Sequence, residues 1–289
     1  MSQLIVVIGA GVMGKGIAKS FAKNGNRVVM ISRRPEAITD MPAEVRVLKD
    51  LPDERPDLII ETIPEDTQLK LDCYRHVEEK YPEGVPLASN TSALDLEKLG
   101  AQLRHPELFH GIHYFMPADL MKFVEVAATS RTTPDVMQHA AESLRRVGKA
   151  PIMLNKAVPG LLINRLQHAI LHEAYQMIDQ GVVTPADVDL VARELLGPRM
   201  CITGLIEQKD IGGLEIHANA QKALVPELGL SKEPSRCLQD LYEAGHLGIR
   251  TGKGFYDWPD GKGDARKKQA AVELKGLLEF LENNVTKPA

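Results

Sequence analysis

Two residues of this chain could move a proton together: His113, at the end of the run Phe109 to His113, and Glu125, inside Lys122-Phe123-Val124-Glu125-Val126. An acid in an otherwise apolar strand is costly to bury unless a partner answers it, and His113 is the natural candidate. A carboxylate that holds an imidazole in one tautomer makes the ring an oriented acid or base near neutral pH. Dehydrogenation of an alcohol needs such a group, to take the hydroxyl proton while hydride leaves for an acceptor. Ser89-Asn90-Thr91-Ser92 and His113-Tyr114-Phe115-Met116-Pro117 each follow an expected strand. Their polar residues therefore fall where a doubly wound sheet holds its ligands, beyond the carboxyl ends of the strands. Each residue alone also has a plainer reading. A strand-end histidine is commonly packed and satisfied, and Glu125 could lie on an exposed edge.

The hydride acceptor is suggested near the start of the chain. Gly9-Ala10-Gly11-Val12-Met13-Gly14 follows a β-branched run, Gln3 to Ile8, and opens a helix in which Met13, Ile17 and Phe21 recur every four residues. In that context Gly9 permits a tight turn, Gly11 lets a pyrophosphate approach the backbone, and Gly14 allows close helix–strand packing. Val12 and Met13, in the first helical turn, offer unpaired N–H groups and a positive dipole end to the phosphates. A nicotinamide dinucleotide is the expected ligand; a flavin or a vestigial site on the same fold is the alternative. The second strand, Arg27 to Ile31, leads to Ser32-Arg33-Arg34, where NAD-binding sites carry an acid for the ribose 2′-hydroxyl. A small hydroxyl leaves room for a 2′-phosphate and two guanidiniums can bind it, so NADP(H) is the expected cofactor, with NAD(H) as the alternative. A solvated arginine pair is the plainer reading.

These groups must be positioned by an α/β domain. Val45 to Leu48, Leu58 to Thr62, a run ending near Ser89-Asn90, Phe109 to His113, Phe123 to Val126 and Ile152 to Leu154 read as further strands, with helices at about Thr67 to Lys80 and Pro134 to Val147. From Pro159 onward the character changes. Leu162, Leu166, Ile170, Ala174 and Ile178 keep a helical step, and Thr184-Pro185-Ala186-Asp187 supplies a cap, a first-turn proline and a first-turn acid. The expected fold is a doubly wound Rossmann-type domain over residues 1–156 followed by a mostly α-helical domain over 157–289. Net charge is −4, with Lys and Arg scattered, which argues against nucleic acid as the main partner. No apolar run reaches the roughly 18–20 residues that span a bilayer. Cys73, Cys201 and Cys237 lack metal-ligand spacing and suit reduced thiols, so no metal and a cytoplasmic location are expected.

Further segments occur in order along nearly the whole chain: Met121-Lys122-x-Val124-Glu125-Val126, Pro159-Gly160-x-x-x-Asn164-Arg165 and Thr251-Gly252-Lys253-Gly254-Phe255-Tyr256-Asp257. Together with the glycine, Ser89–Ser92 and His113–Pro117 segments, the set resembles the L-3-hydroxyacyl-CoA dehydrogenase family. The twelve-residue step from His113 to Glu125 matches that family's catalytic pair. The resemblance implies that His113 is the acid/base and Glu125 orients it, while Ser92 bonds the reacting oxygen and Asn164 helps to hold substrate. It also implies that Glu65 and Lys70 lie on the nicotinamide side, with Asn90 among the cofactor contacts, and that the helical domain joins a homodimer.

The chain departs from the acyl-CoA enzymes in two places. Only Arg33 to Glu44 separates the second strand from the third, too little for the helical hairpin that grips CoA, at about 1.5 Å per helical residue. Met116 stands where those enzymes usually carry asparagine. Asn164-Arg165-Leu166-Gln167-His168-Ala169 and Gly181-Val182-Val183-Thr184-Pro185-Ala186-Asp187-Val188-Asp189 resemble the branch acting on free hydroxy acids, which includes L-gulonate and carnitine dehydrogenases. In the same half, Leu196-Gly197-Pro198-Arg199 places Arg199 at a helix end, suited either to a substrate carboxylate or to capping carbonyls. The expected activity is NADP(H)-dependent interconversion of a hydroxyl, as in a 3-hydroxy acid, and a carbonyl. The alternatives are a short-form 3-hydroxyacyl-CoA (3-hydroxybutyryl-CoA) dehydrogenase and a non-catalytic NADPH-binding sensor or structural protein.

Overall fold

The computed structural model describes residues 2–229 and 231–285. Its strands are β1 (Leu4–Ile8), β2 (Arg27–Ile31), β3 (Val45–Leu48), β4 (Leu58–Glu61), β5 (Leu87–Ser89), β6 (Phe109–Tyr114), β7 (Phe123–Ala128) and β8 (Ala150–Leu154). They form one sheet in the order β3-β2-β1-β4-β5-β6-β7-β8. Neighbours are parallel throughout, except that β7 runs antiparallel to β6. The strand order reverses between β1 and β4, which opens the crevice where doubly wound sheets bind ligands. All five residues of β1 are buried, as a central parallel strand covered on both faces requires.

Helices cover each face. The apolar stripe of α1 (Val12–Ala22) places Ile17 and Phe21 in one core with Ile5, Val7, Ile112 and, from α4 (Pro134–Arg146), Ala140 and Leu144. On the other face, α2 (Thr67–Lys80) contributes Tyr74 and Val77, and α3 (Leu96–Gly100) contributes Leu96 and Leu99, against Val6, Ile59 and Phe109. The short α3 has no counterpart in the sequence reading, because five residues are too few to show a helical period. Between β2 and β3 lies only a single 3₁₀ turn, Pro35–Ala37. No helical hairpin fits there.

The chain divides into two compact units, Met1–Leu166 and Gln167–Ala289. The second is helical. It takes in most of α5 (Ile163–Asp179), then α6 (Pro185–Val191), α7 (Gly197–Thr203), α8 (Glu207–Gly212), α9 (Leu214–Leu224), α10 (Arg236–Glu243) and α11 (Lys262–Asn284). Thr184 and Asp187 form a reciprocal capping box at the start of α6. A π-helical turn, Ala192–Leu196, joins α6 to α7, where Pro198 has no N–H to give the helical ladder. Arg199 thus lies in the first turn of α7, at its N-terminal end, and it is exposed. Asp179 accepts the N–H groups of Arg236 and Cys237, at 2.8 and 2.7 Å, and so seats the start of α10. The Thr251–Asp257 segment is anchored by Phe255, stacked on Tyr175, and by the Tyr256 hydroxyl, which donates to Asp189 at 2.7 Å.

The glycines of the first turn separate into two kinds. A Cβ on Gly14 would stand 1.9 Å from the Gly9 carbonyl oxygen, whereas a Cβ on Gly11 would meet nothing within 4 Å. Gly14→Ala is therefore expected to destabilise the protein by about 1–3 kcal/mol, the usual cost of overpacking. Gly11→Ala should leave stability nearly unchanged while weakening dinucleotide binding. Denaturant titration alongside cofactor titration separates the two.

Candidate active site

The carboxyl end of β1 turns at Gly9, whose φ of +111° is open to glycine and strained for other residues. Thr62 locks this turn by donating its hydroxyl to the carbonyls of Ile8, at 3.0 Å, and Gly9, at 3.2 Å. Helix α1 begins at Val12 with Gly11 as its N-cap and no side-chain cap. The N–H groups of Val12, Met13 and Gly14 are thus left for a ligand. The open space at Gly11 lets a phosphate reach them, so the turn fits a dinucleotide pyrophosphate. At the end of β2, Ser32 donates its N–H to Leu48 and accepts that of Arg34 on its hydroxyl. Arg33 and Arg34 are exposed, and neither makes an ion pair among the described residues.

A buried acid lies beside this turn. Glu61 ends β4 with no exposure, and its two oxygens receive four donors. Oε1 accepts from Lys70 Nζ at 2.6 Å and from the Ile63 N–H at 2.7 Å; Oε2 accepts from the Tyr74 hydroxyl at 2.6 Å and the Ser89 hydroxyl at 2.9 Å. Burial, reinforced by the Glu61 charge, pushes the Tyr74 phenol far above its ordinary range and keeps it a donor. Lys70 is itself 1% exposed and also donates to the Ile63 carbonyl, with Glu65 3.9 Å away. Glu65 accepts the Ser92 N–H at 2.6 Å and the Thr91 hydroxyl at 2.7 Å. Glu65 and Lys70 therefore sit in a network that shapes the loop after β5.

That loop meets the next strand at His113. Antiparallel pairing of β6 and β7 sets His113 directly opposite Glu125. The imidazole Nδ1 lies 2.8 Å from Glu125 Oε2, and Nε2 lies 3.2 Å from the Ser92 hydroxyl. Glu125 has no exposure and His113 only 4%. Burial alone would raise the Glu125 carboxyl. The His113 bond and the N–H groups of Ile163 and Leu162 outweigh it, holding the carboxyl below its usual range. An anionic Glu125 can only accept, so Nδ1 carries the proton and Nε2 is left as an acceptor facing Ser92. The ring packs edge-on to Phe115, with centroids 4.9 Å apart. Asn90 fixes the same strand end by accepting the Tyr114 N–H at 2.9 Å, and Lys149 donates to the carbonyls of Ala118 and Met121 in the loop beyond. Asn164 lies in the first turn of α5, and its amide makes no hydrogen bond among the described residues. The arrangement is a base with a fixed tautomer, a hydroxyl on its free nitrogen and, three strands away at the end of β1, a turn that fits a phosphate.

The family model for the NAD binding domain of 3-hydroxyacyl-CoA dehydrogenase matches residues 4–52 and 43–157, and the model for the C-terminal domain matches 160–258. The chain belongs to the 3-hydroxyacyl-CoA dehydrogenase family. It is thus an oxidoreductase with a nicotinamide-dinucleotide-binding domain. It is 28% identical to the 5-formyl-3-hydroxy-2-methylpyridine 4-carboxylate 5-dehydrogenase of Mesorhizobium japonicum, over 98% of this chain and 99% of that one. It is 31% identical to a probable 3-hydroxybutyryl-CoA dehydrogenase of Deinococcus radiodurans, over 87% and 99%. Among solved structures, that of the 5-formyl-3-hydroxy-2-methylpyridine 4-carboxylic acid 5-dehydrogenase, described as an NAD+ dependent dismutase, gives a TM-score of 0.91 at 26% identity. It covers 99% of this chain and 100% of that one. The Archaeoglobus fulgidus 3-hydroxyacyl-CoA dehydrogenase gives 0.72 at 29% identity, over 97% and 99%.

Glu61, Tyr74, Ser89 and Thr91 had no role in the sequence reading. A signal was present in Glu61, an acid closing the apolar run Leu58–Glu61, the same anomaly that drew attention to Glu125. Removing one partner from a buried ion pair leaves the other charge uncompensated. Lys70→Met is therefore expected to destabilise the protein by about 3–5 kcal/mol. Urea denaturation would check this, and a loss below about 1 kcal/mol would mean that the remaining donors satisfy Glu61.

Proposed function

We propose that this protein is an NADP(H)-dependent dehydrogenase or reductase that interconverts a hydroxyl, as in a 3-hydroxy acid, and a carbonyl on a small carboxylate or aromatic substrate. The observation that carries the reading is the buried His113–Glu125 pair with the Ser92 hydroxyl on its free nitrogen. The nicotinamide, when bound, supplies the hydride acceptor or donor. In oxidation, Nε2 of His113 takes the proton of the substrate hydroxyl, and Glu125 stabilises the imidazolium that results. In reduction the same nitrogen returns the proton to the carbonyl oxygen. Ser92 bonds that oxygen, and the free amide of Asn164 holds the substrate beside it. Gly9, Gly11, Val12, Met13 and Gly14 seat the pyrophosphate. Asn90, Glu65 and Lys70 stand on the nicotinamide side, where Glu65 and Lys70 also brace the Ser92 loop.

Three further assignments complete the reading. Residues 1–156 bind cofactor, and residues 157–289 supply substrate and dimer contacts. Exposed Arg199 binds a substrate carboxylate through paired hydrogen bonds. A homodimer is supported by the apolar side chains that the second unit leaves in water, among them Ile206, Ile211 and Ile216 at 77%, 71% and 72% exposure. Among the described residues all three cysteines are free and no helix could cross a membrane, which supports a reducing, cytoplasmic setting.

A free acid or aldehyde is favoured over a CoA ester because the stretch between β2 and β3 is a single short turn. The Mesorhizobium relative, named for a formylpyridine carboxylate, supports the same class. The second reading, 3-hydroxyacyl-CoA dehydrogenation, has the family model itself in its favour. A panel of free hydroxy acids, hydroxy-aldehydes and CoA esters decides between them, and efficient turnover of acetoacetyl-CoA would reverse the order. On the substrate so found, His113→Asn should lower kcat by about 100-fold or more while NADPH affinity stays nearly unchanged. Wild-type turnover in that variant would reject the proton-transfer role.

NADP(H) preference rests on Ser32-Arg33-Arg34, which puts two unpaired guanidiniums and no carboxylate at the end of β2. The wild type should show a higher kcat/KM with NADP than with NAD. The double change Arg33→Ala and Arg34→Ala should remove most of that ratio, acting mainly on NADP. Equal kcat/KM values in the wild type would refute the preference.

A further inference from the structure

The far side of Glu125 has a structure of its own. Oε2 takes His113, while Oε1 accepts two backbone N–H groups, those of Leu162 and Ile163, each at 2.9 Å. These are the last residue before α5 and the first residue within it. They reach the carboxylate because the chain reverses at Gly160, with φ of +79°, and Leu161, with φ of +49°. A left-handed conformation is unusual for leucine and persists only where the surroundings over-determine it. Here the Leu161 side chain is 3% exposed, packed in the core beneath the sheet. The next residue but two is Asn164.

We infer that the Gly160–Ile163 turn is a positioning device for the proton-transfer pair: it engages Glu125 Oε1, leaves Oε2 as the oxygen for His113, and ties the first turn of α5, with Asn164, to the same carboxylate. The inference rests on the His113–Glu125 reading and extends it to backbone groups that touch neither substrate nor cofactor. Without the two N–H groups, Oε1 would be a buried acceptor with nothing to bond. The carboxylate could then rotate and share both oxygens with the imidazole. With them, one rotamer of Glu125 is held, and with it the direction and length of the bond from His113 Nδ1 to Oε2. Among the described residues, the groups that face Glu125 are few. They are His113 from β6, the two N–H groups at the start of α5, and the apolar Ile152 paired with it on β8. Ser92 lies beyond His113, and Glu65 is spoken for by Ser92 and Thr91.

Ile163→Pro tests this by deleting one of the two donors. Proline is well accepted at the first position of a helix, where no intrahelical bond is lost. Ile163→Ala is the control, since it removes the same side chain and keeps the N–H. In protein with carbon-13-labelled carboxylates, the Glu125 titration midpoint should rise by roughly half a pH unit or more in Ile163→Pro and stay put in Ile163→Ala. At neutral pH, the Nδ1 proton of His113 should give one sharp resonance at the same position in the wild type and in Ile163→Ala, and a shifted or exchange-broadened one in Ile163→Pro, where Glu125 is free to rotate. Unchanged signals in Ile163→Pro, or equal changes in both variants, would overturn the inference. Should Ile163→Pro not fold, the wild type still decides. The amide protons of Leu162 and Ile163 should shift with the Glu125 midpoint, and indifference to it counts against the device. None of these signals needs a substrate. The inference can therefore fail while His113→Asn still abolishes turnover; should His113 prove dispensable, the turn still holds Glu125 but positions no proton transfer, and the two failures are told apart.

Discussion

A carboxylate sealed from water stays charged only where donors answer its lone pairs. Glu61 and Glu125, neither of them exposed, impose that condition at the carboxyl edge of the sheet. Around Glu61 the condition recruits Lys70 and Tyr74 from α2, Ser89 from β5 and the Ile63 N–H from the turn after β4. Around Glu125 it recruits His113 from β6 and the first N–H groups of α5. Each acid thus fixes elements that are far apart in sequence. Ser92 stands between the two clusters, its amide on Glu65 and its hydroxyl on His113. The position of a hydroxyl that could meet a reacting oxygen follows from the need to satisfy two buried charges.

Much of the first unit could be read from residue order because its strands are short, apolar and bounded by turns. β2, β3 and α2 fall where periodicity puts them, and the other strands differ by one or two residues at their ends. The His113–Glu125 contact was legible because an acid within the apolar run Phe123–Ala128 needs a partner and His113 lies near the end of the preceding strand. Antiparallel pairing turns a twelve-residue step into a cross-strand neighbour. The Glu61 cluster was less visible. Its donors come from three elements, and no spacing in the sequence marks Tyr74 or Ser89 as converging on one carboxylate. The second oxygen of Glu125 was hidden for a different reason. Its partners are main-chain groups presented by a left-handed leucine, and sequence patterns record side chains only.

The second unit shows the converse. Its helices are legible from caps and periods, Thr184 to Asp187 most clearly, yet the helices from α5 to α9 hold no residue that the chain itself buries. An amphipathic helix gains most of its stability from burying its apolar face. Helices that leave Ile206, Ile211 and Ile216 in water lack that contribution within one chain. A second copy, offering the same apolar surface, is the occupant the family resemblance implies. Sequence periodicity gives the face that needs covering and is silent on what covers it.

The short path from Ile31 to Val45 bears on both ligands at once. In the acyl-CoA enzymes a helical hairpin leaves the sheet at this point; here the chain makes one 3₁₀ turn and returns as β3. A long pantetheine arm would lose the wall that this hairpin gives it, which is why the proposed reading favours a free acid. Two arginines without carboxylate partners among the described residues remain at the end of β2, in a protein whose net charge is −4. In the proposed reading these guanidiniums would meet an additional phosphate on the adenosine ribose. One deletion in the family pattern thus weakens the case for a CoA ester and strengthens the case for a phosphorylated cofactor. The acid/base pair, built on strands across the sheet, is untouched by it.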